Sequence, residues 1–338
     1  MRRTSRGTIW LEYTDVGRER KFLPNVSAVT VAGDYLWTAS DEMRTIECLE
    51  PRGQGYRLHR QFKLDELFLG LPGGEKEREA DVEALDVAHG RLWVCGSHSL
   101  TRRSRDKTEA TVDPRIRERP SRRLLGSIEL GKDGGGLVAP GKALPFDGAG
   151  SLRVMLGAFS HIAPFMDLPS KENGLDIEGL VIFRRKIYVG MRGPVVDNVA
   201  LVAAIGMTQD FGIDDTGLFL HFVDLGGLGV RDMTRWGGGI LILAGPVNGA
   251  DGPFRLFQWM PRRTGKIQAP EKVQDLQAGA DHPEGICALA RAGADGLIIL
   301  YDSKSDKRTS GTRYRADWLK LSARAVETAK ATRSGRRQ

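Results

Sequence analysis

The chain repeats one pattern of apolar and polar positions: two short runs with apolar residues at alternate positions, separated by a tight polar turn. In LDIEGLVIFRRKIYVGMRGPV, residues 175–195, both runs and their turn lie within one stretch. Alternation over four to eight residues is typical of a β-strand with one buried face, and a short turn between two such runs predicts a hairpin. Each unit of this kind therefore predicts two antiparallel strands.

The hairpin pattern recurs along the chain. Offsets of 56, 95 and 54 residues between successive copies align the first four without a gap, and the fifth fits once its turn is lengthened by three residues. The five copies are residues 27–41, 83–99, 178–194, 232–246 and 284–305. Further strand candidates follow each hairpin, such as TIECLE, ALVAAIGM and FRLFQWM. The repeat predicts an all-β chain that forms a β-propeller of five four-stranded blades.

The long interval between the second and third hairpins interrupts this spacing. It contains the basic stretch 101–123, a glycine-rich stretch, and residues 151–166 with apolar side chains at helical spacing. We interpret residues 101–166 as an insertion with one amphipathic helix, and a sixth, degenerate blade is the alternative. The domain prediction is an N-terminal segment with a closing strand (1–21), a single propeller domain (22–321) and a basic disordered tail (322–338).

Charge is unevenly distributed. Residues 1–21, 101–123 and 315–338 carry +3, +5 and +5, which leaves −6 on the rest of a chain whose net charge is +7. The body is therefore acidic, and the basic C-terminal tail has no aromatic residue, so nucleic-acid binding is disfavoured. The chain has no apolar run of membrane-spanning length and no secretory signal pattern at its N-terminus, which predicts a cytoplasmic protein without a membrane partner. Its three cysteines lack metal-site spacing and are expected to be buried apolar residues.

In a propeller, the ends of the predicted hairpins would form a ring of candidate functional residues. The first strand of each hairpin starts, and the second ends, on the same face near the mouth of the central channel. The predicted first-strand starts are Ser27, Glu83, Glu178, Asp232 and Glu284. The predicted second-strand ends are Asp41, Ser97, Arg192, Pro246 and Ser303, with His98 and Asp302 adjacent. Four carboxylates are thereby expected at one mouth.

Converging carboxylates repel one another unless something neutralises them. A divalent cation is one candidate, and oxygen ligands favour Ca²⁺ or Mg²⁺, with metal ligands Glu83, Glu178, Asp232 and Glu284. Pairing with Arg192 and Arg231 is the other candidate. The carboxylates could also serve only to join neighbouring blades, with Arg192 paired to Glu178 of its own hairpin. The basic stretch 101–123 is expected either to cover this mouth or to form a solvated loop.

These residues predict the binding of a small anionic molecule. The predicted catalytic residues are Glu178, Glu83 and Arg192, and metal-assisted hydrolysis of an ester or phosphoester is the matching chemistry. The predicted ligand-binding residues are Arg231, His98, Ser97, Asp41 and Asn248. Nucleotide-binding, zinc-protease and serine-hydrolase motifs are absent from the sequence, so no nucleotide or organic cofactor is indicated. The alternative function is a non-catalytic platform that binds a protein partner through Trp10, Trp236, Trp259 or the basic loop and tail.

Three motifs carry a family resemblance: NGLDIEGL…GMRGPV (173–195), GGLGVRDM…LILAGPVNGADGPFRLFQW (226–259) and HPEGI (282–286). They resemble a bacterial domain-of-unknown-function family of propeller-like proteins, over roughly residues 25–305. This resemblance implies a propeller and no established activity. The acidic strand starts are also distantly similar to those of esterase-like phytase and lactonase-type propellers, which implies carboxylates that hold a divalent ion at the mouth.

Overall fold

The structure is a computed structural model that describes residues 6–14, 16–19, 21–74, 77, 79–102, 113–210, 212–247, 251–276, 281–303 and 306–321. The predicted tail, 322–338, and Asn248 lie outside the described residues, and the side chain of Ser303 is not described. No helix in the described part of the chain has the length and apolar character needed to cross a membrane.

Strands dominate the fold and form successive four-stranded sheets. The chain begins with β1 (Arg6–Glu12). The first sheet then follows in chain order as β2 (Val26–Ala32), β3 (Tyr35–Ser40), β4 (Thr45–Arg52) and β5 (Gly55–Lys63). The second contains β6 (Val82–Ala88), β7 (Arg91–Gly96), β10 (Leu125–Leu130) and β11 (Leu137–Ala143), and a separate small hairpin pairs β8 (Thr101–Arg102) with β9 (Ile116–Arg117).

The remaining sheets follow the same plan. The third is β12 (Asp176–Phe183), β13 (Lys186–Val196), β14 (Val199–Met207) and β15 (Ile213–Val223). The fourth is β16 (Gly229–Trp236), β17 (Gly239–Gly245), β18 (Phe254–Trp259) and β19 (Glu271–Leu276). The last is built from β20 (Asp281–Ala288), β21 (Gly296–Ser303) and β23 (Arg313–Lys320), with the short β22 (Thr309–Ser310) beside β23 and with β1 at its outer edge.

The first strands of the sheets form a closed ring. β2 contacts β6, and contacts continue through β12, β16 and β20 back to β2. Five apolar clusters fill the spaces between neighbouring sheets, so each sheet buries both faces. The three cysteines are buried in these clusters as free thiols. The predicted class, an all-β propeller, is confirmed. Among the described residues, β5 and β1 join the first and last groups of strands into one nine-stranded sheet, which stands beside three four-stranded sheets and the small β8–β9 hairpin. We refer to the five groups in chain order as the first to fifth blades.

The interval after the second hairpin differs from the prediction in part. The strand candidate RRLLGSIEL (122–130) forms β10, whereas β11, in the glycine-rich stretch of the predicted insertion, is an outer strand that was not predicted. The predicted helix over 151–166 is only α2 (Leu152–Gly157), followed by a 3-10 turn at Ala163–Phe165 that contains Pro164. The buried residues of α2 pack with the cluster between the second and third blades. The other helix, α1 (Leu64–Leu67), follows β5.

The opening strand closes the ring, as expected. β1 pairs antiparallel with β23 over its whole length, which makes it the outermost strand of the fifth blade. It also pairs parallel with β5 at Leu11 and Glu12, which joins the fifth blade to the first. This pairing removes part of the exposed edge that an outermost strand would otherwise present.

One hydrogen bond at this closure gives a first prediction. The hydroxyl of Tyr13, directly after β1, lies 3.0 Å from Thr38 Oγ1 on β3, and both groups are buried. Tyr13→Phe should reduce the free energy of unfolding by about 1 kcal/mol, because the substitution leaves a buried hydroxyl without this partner. Urea unfolding measures the loss. Adding Thr38→Val to the variant should cost less than Thr38→Val alone, and additive losses would contradict a direct bond.

Candidate functional site

Each inner strand carries a β-bulge at the same place in its hairpin. The ladder between the first two strands of every blade shifts register there. One residue of the inner strand then has no direct partner, or two in β20, where Gly285 follows Glu284. A bulge changes the direction of the side chain on it. The residues at the bulges, one from each blade, are Ser27, Glu83, Glu178, Arg231 and Glu284.

This register corrects the predicted position of Asp232. In β16 the bulge falls on Arg231, and Asp232 pairs with Leu243 beyond it. The Asp232 carboxylate accepts backbone N–H groups from Met233 at 2.7 Å and from Ile286 at 2.6 Å, so it ties the fourth inner strand to the fifth. The prediction that Asp232 stands with the other three carboxylates is therefore wrong by one residue.

In the fourth and fifth blades, the end of the second strand also lies one residue earlier than predicted. Ala244 pairs with Val230 and Tyr301 pairs with Pro283, just before each bulge. Met191 holds the equivalent position in the third blade, opposite Ile177. The residues equivalent to Arg192 are therefore Gly245 and Asp302, and the predicted positions of Pro246 and Ser303 are each one residue too late.

Two arginines neutralise one half of the ring. Arg231 Nε lies 3.0 Å from Glu178 Oε2, and a terminal nitrogen of the same guanidinium pairs with Glu284 of the fifth blade. Arg192 Nη1 lies 2.5 Å from Glu178 Oε1, and its other terminal nitrogen pairs with Asp176. Neutralisation by Arg192 and Arg231, one of the two predicted solutions, is thus present in the third, fourth and fifth blades.

Glu178 is the centre of this half. Burial raises the pKa of the Glu178 carboxyl to about 8, against the lowering effect of the Arg192 and Arg231 guanidinium groups. Three carboxylates, those of Asp176, Glu178 and Glu284, share two guanidinium groups, so one proton on Glu178 makes the group electrically neutral. The raised pKa favours that proton near neutral pH.

The other half holds three carboxylates that we name the carboxylate triad: Asp41, Asp81 and Glu83. One oxygen of each lies within 4.8 Å of the others. The backbone brings them together, because the Asp81 N–H donates to the Asp41 carbonyl at 3.1 Å and joins the first two blades. Arg122 Nη1, at 2.9 Å, and the Ser97 hydroxyl both contact the Asp81 carboxylate. Predicted ligand-binding residues Asp41 and Ser97 therefore lie at this mouth.

Asp41 and Glu83 are not neutralised in this way. Neither forms an ion pair within the described part of the chain, and Asp41 Oδ1 is buried without a hydrogen-bond partner there. Burial, followed by repulsion from neighbouring carboxylates, raises the pKa of both Asp41 and Glu83 well above the usual range. Such a site holds either protons or a cation. Its all-oxygen ligand set suits Ca²⁺ or Mg²⁺.

The C-terminal part of the basic stretch 101–123 contacts this mouth. Arg122 Nη2 lies 2.5 Å from Glu79 Oε1, Arg119 pairs with the same carboxylate, and Arg122 Nη1 donates to Ser99 Oγ at 2.9 Å. The 3-10 turn Pro120–Arg122 places these side chains. Glu79 and Arg122 could not be selected from local patterns, because each lies in a run of charged residues that is typical of a solvated loop.

His98 is not a rim residue. It is 2% exposed, its Nε2 lies 3.3 Å from the Leu124 carbonyl, and its own carbonyl accepts from Arg153 Nη1 at 2.5 Å. Burial, together with the nearby Arg153 guanidinium, lowers the pKa of His98 to about 3, so the ring is neutral. The prediction that His98 lines the mouth is wrong, and its contacts are structural.

A groove of about 540 Å³ lies between the third and fourth blades. Its walls include Lys171, Glu172, Val195, Leu228, Pro246 and Asp251. Gly229, next to the wall residue Leu228, packs on the backbone of Arg192, since a Cβ on Gly229 would lie 2.0 Å from the Arg192 carbonyl oxygen. The Gly229 backbone can approach Arg192 this closely only without a side chain.

The fold and the mouth together define a β-propeller whose channel opens through a ring of buried carboxylates and arginines. The chain belongs to the family described as "Protein of unknown function (DUF3616)", whose sequence profile matches residues 25–316. This confirms the resemblance to a domain-of-unknown-function propeller family.

Comparisons with other known proteins add likenesses of fold. No curated protein sequence matches the chain. Glutaminyl cyclase from Myxococcus xanthus is 10% identical, with 94% of this chain and 97% of that chain covered and a TM-score of 0.45. Streptogramin B lyase is 11% identical, with coverage of 94% and 98% and a TM-score of 0.38. The β-propeller domain of Cps50 (Swd1) from Myceliophteria thermophila is 7% identical, with coverage of 88% and 84% and a TM-score of 0.36. No activity follows from scores at this level.

Proposed function

We propose that the carboxylate triad binds a divalent cation, Ca²⁺ or Mg²⁺, and that the cation holds a small anionic ligand at the channel mouth. The observation that carries the proposal is the lack of neutralisation at Asp41 and Glu83, although their oxygens converge with those of Asp81 within 4.8 Å. The arginine half of the same ring is neutralised, which shows that the fold does not leave every mouth carboxylate without a cation.

Charge balance supports a divalent ion. The mouth brings together the seven carboxylates of Asp41, Asp81, Glu83, Asp176, Glu178, Glu284 and Asp302 and the three guanidinium groups of Arg122, Arg192 and Arg231. Four negative charges remain. One proton on Glu178 and one divalent cation at the triad would reduce this total to one, whereas a monovalent ion would leave two buried negative charges.

The ligand would reach the cation from the solvent side of the channel mouth. An anionic group would bind the cation, and the groove between the third and fourth blades would hold the rest of the molecule. The walls of the groove combine apolar side chains with Lys171 and with two carboxylates, Glu172 and Asp251, which contact Arg102 and His282. The cation, and not the groove, would therefore attract the anionic group of the ligand, and the apolar walls would contact the rest of the molecule.

Hydrolysis of an ester or phosphoester is the chemistry that this site would support. A bound divalent cation polarises such a bond and lowers the pKa of an attached water molecule. Glu83 would then accept the proton of that water through the carboxylate oxygen that does not hold the cation. Glu178 was also predicted to be catalytic, but its two arginine contacts suit it instead to position Arg192 and Arg231.

Thermal unfolding after chelator treatment tests the cation site. Added Ca²⁺ or Mg²⁺ should raise the midpoint, with a gain of about 2.7 kcal/mol at one hundred times Kd. Glu83→Gln and Asp41→Asn should abolish the response, because each removes a charged ligand. Asp302→Asn, which neutralises a mouth carboxylate outside the triad, is the matched control and should respond like the wild type. A wild-type midpoint that neither ion changes would refute the proposal.

Hydrolysis is tested separately, with p-nitrophenyl acetate, p-nitrophenyl phosphate and a simple lactone as substrates. We expect turnover of at least one of them that requires the added cation and disappears in Asp41→Asn. If the cation binds without any turnover, the site is a ligand-binding site and the hydrolytic part of the proposal fails.

A further inference from the structure

A second pocket lies at the seam where the ring closes, on the outer edge of the propeller. It has a volume of about 420 Å³ and lies between β1 of the fifth blade and the β4–β5 hairpin of the first. Its walls include Trp10, Glu12, Arg52, Gln54, Tyr56 and Arg313. We call it the seam pocket. None of these residues belongs to the carboxylate triad or to the arginine half of the mouth.

The seam pocket exposes the residue types that dominate binding energy at protein interfaces. Trp10 is 36% exposed, whereas the other five tryptophans of the chain, including Trp236 and Trp259, are buried. The Arg313 guanidinium lies 5.1 Å from the centre of the Trp10 ring. Neither Arg52 nor Arg313 has a carboxylate partner within the described residues. Tryptophan, tyrosine and arginine are enriched among residues whose truncation costs most affinity.

Several backbone groups at the seam already have partners, so a ligand would be recognised there through side chains. Arg291 donates to the Thr8 carbonyl at 3.1 Å and to the Gln54 carbonyl at 2.7 Å. Gly55 packs directly on the Trp10 carbonyl, where a Cβ would lie 2.2 Å from the oxygen. At these positions the edge of β1 is already covered, so a partner cannot add a strand there.

We propose that the seam pocket binds an acidic segment of a protein partner. An apolar side chain of the segment would pack on Trp10 and Tyr56, and its carboxylates would pair with Arg52 and Arg313 through charge-assisted hydrogen bonds. This interaction is independent of the proposed cation site. Because the walls come from the first and fifth blades, the bound segment would also hold the closure of the ring together.

A single strand of nucleic acid fits the pocket less well. Such sites stack successive bases on several exposed aromatic rings along a basic groove. Here Trp10 is the exposed tryptophan, and Arg313 takes part of its surroundings, so successive bases find no row of exposed rings to stack on. An acidic peptide needs only the two free guanidinium groups and one apolar contact.

Selection from a random dodecapeptide phage library on the full-length protein tests the proposal. Peptides that also bind Arg52→Ala/Arg313→Ala are removed by counter-selection. The remaining peptides should share two acidic residues near an apolar one. Synthetic copies should change the tryptophan fluorescence of the wild type, since Trp10 is the exposed tryptophan, and leave that of Trp10→Phe unchanged.

Affinity measured by anisotropy of labelled peptides completes the test. The double arginine variant and Trp10→Ala should each bind about tenfold or more weakly, which corresponds to the loss of one strong interface contact. Arg60→Ala/Arg255→Ala, which replaces an exposed arginine farther along β5 and a half-buried one on β18, lies outside the pocket walls and should bind as the wild type does. Failure to enrich peptides that depend on Arg52 and Arg313, equal binding after Glu-to-Gln replacement in the peptide, or tighter binding of an oligothymidylate would each overturn the proposal.

Discussion

Replacing Arg231 by methionine is expected to reduce the free energy of unfolding by about 3–5 kcal/mol, because the substitution removes the cation that two buried carboxylates share. Arg231 is 6% exposed and bridges Glu178 of the third blade and Glu284 of the fifth. Methionine fills a similar length without charge. The decrease in the free energy of unfolding therefore reflects uncompensated charge in the channel and not a cavity. Urea unfolding at pH 7.5 is the measurement.

Arg255→Met is the matched control, since Arg255 lies in the same blade and its Nε is 3.1 Å from Asp275 in an exposed pair. Exposed pairs contribute about 0–1 kcal/mol, so the control should change little. Adding Glu178→Gln to Arg231→Met should restore part of the loss, because one of the unpaired charges is removed. Equal effects of Arg231→Met and Arg255→Met would show that the ring does not depend on this bridge.

The same variant should become sensitive to pH. Without Arg231 the folded-state pKa values of Glu178 and Glu284 rise further above their unfolded values. An acid with a raised folded-state pKa contributes its full stability below the unfolded pKa and loses it as pH rises through the folded pKa. The deficit of Arg231→Met relative to the wild type should therefore shrink in mildly acidic buffer.

Glu47→Gln is expected to stabilise the protein by about 3 kcal/mol above neutral pH. Glu47 lies on β4 with no exposure, accepts a hydrogen bond from Gln61 Nε2 at 3.1 Å, and has no partner at Oε2. Burial raises the pKa of the Glu47 carboxyl from 4.5 to about 7. Above pH 7 the folded protein carries a buried charge without a cation, whereas glutamine keeps the shape without the charge.

The direction of the pH dependence follows from the raised pKa of Glu47. Glu47 favours the folded state most below pH 4.5, and that contribution is lost as the pH rises through about 7. The advantage of Glu47→Gln should accordingly grow by about 2 kcal/mol between pH 5.5 and 8.5 in urea unfolding. Glu50→Gln, on the same strand but half-exposed between Arg57 and His59, is the matched control for replacing a glutamate by glutamine on β4. A pH-independent difference for Glu47→Gln would contradict the buried ionisation.

The hairpins were predictable because their signals are local. Alternating apolar residues and a polar turn lie next to each other in the chain, as in β12 and β13, and neither depends on the rest of the fold. The outer strand β11, LVAPGKA, was missed for the same reason. It is largely exposed, lacks apolar alternation and contains Pro140, so it resembles a loop in sequence.

The site was predictable only in part, because its geometry depends on one-residue differences and on contacts between distant segments. Three successive glycines, Gly237–Gly239, allow the turn of the fourth hairpin to be placed in more than one way, and a shift of one residue exchanges Asp232 for Arg231. Glu178 and Arg231 are 53 residues apart, and Asp41 and Glu83 come from different blades. Local sequence patterns carry no information about such pairs.

The β-bulge that the five inner strands share sets the shape of the channel ring, whereas the side chains at the bulges set its composition. Five segments, far apart in the chain, each deliver one side chain to the same level, and these side chains are three glutamates, one arginine and one serine. The bulge is a property of the backbone, and in this chain the same ring position holds an acidic, a basic or a neutral side chain. Ser27, the neutral member, is buried and donates its hydroxyl to the Val82 carbonyl at 2.9 Å, so at this position the ring joins the first two blades without adding charge.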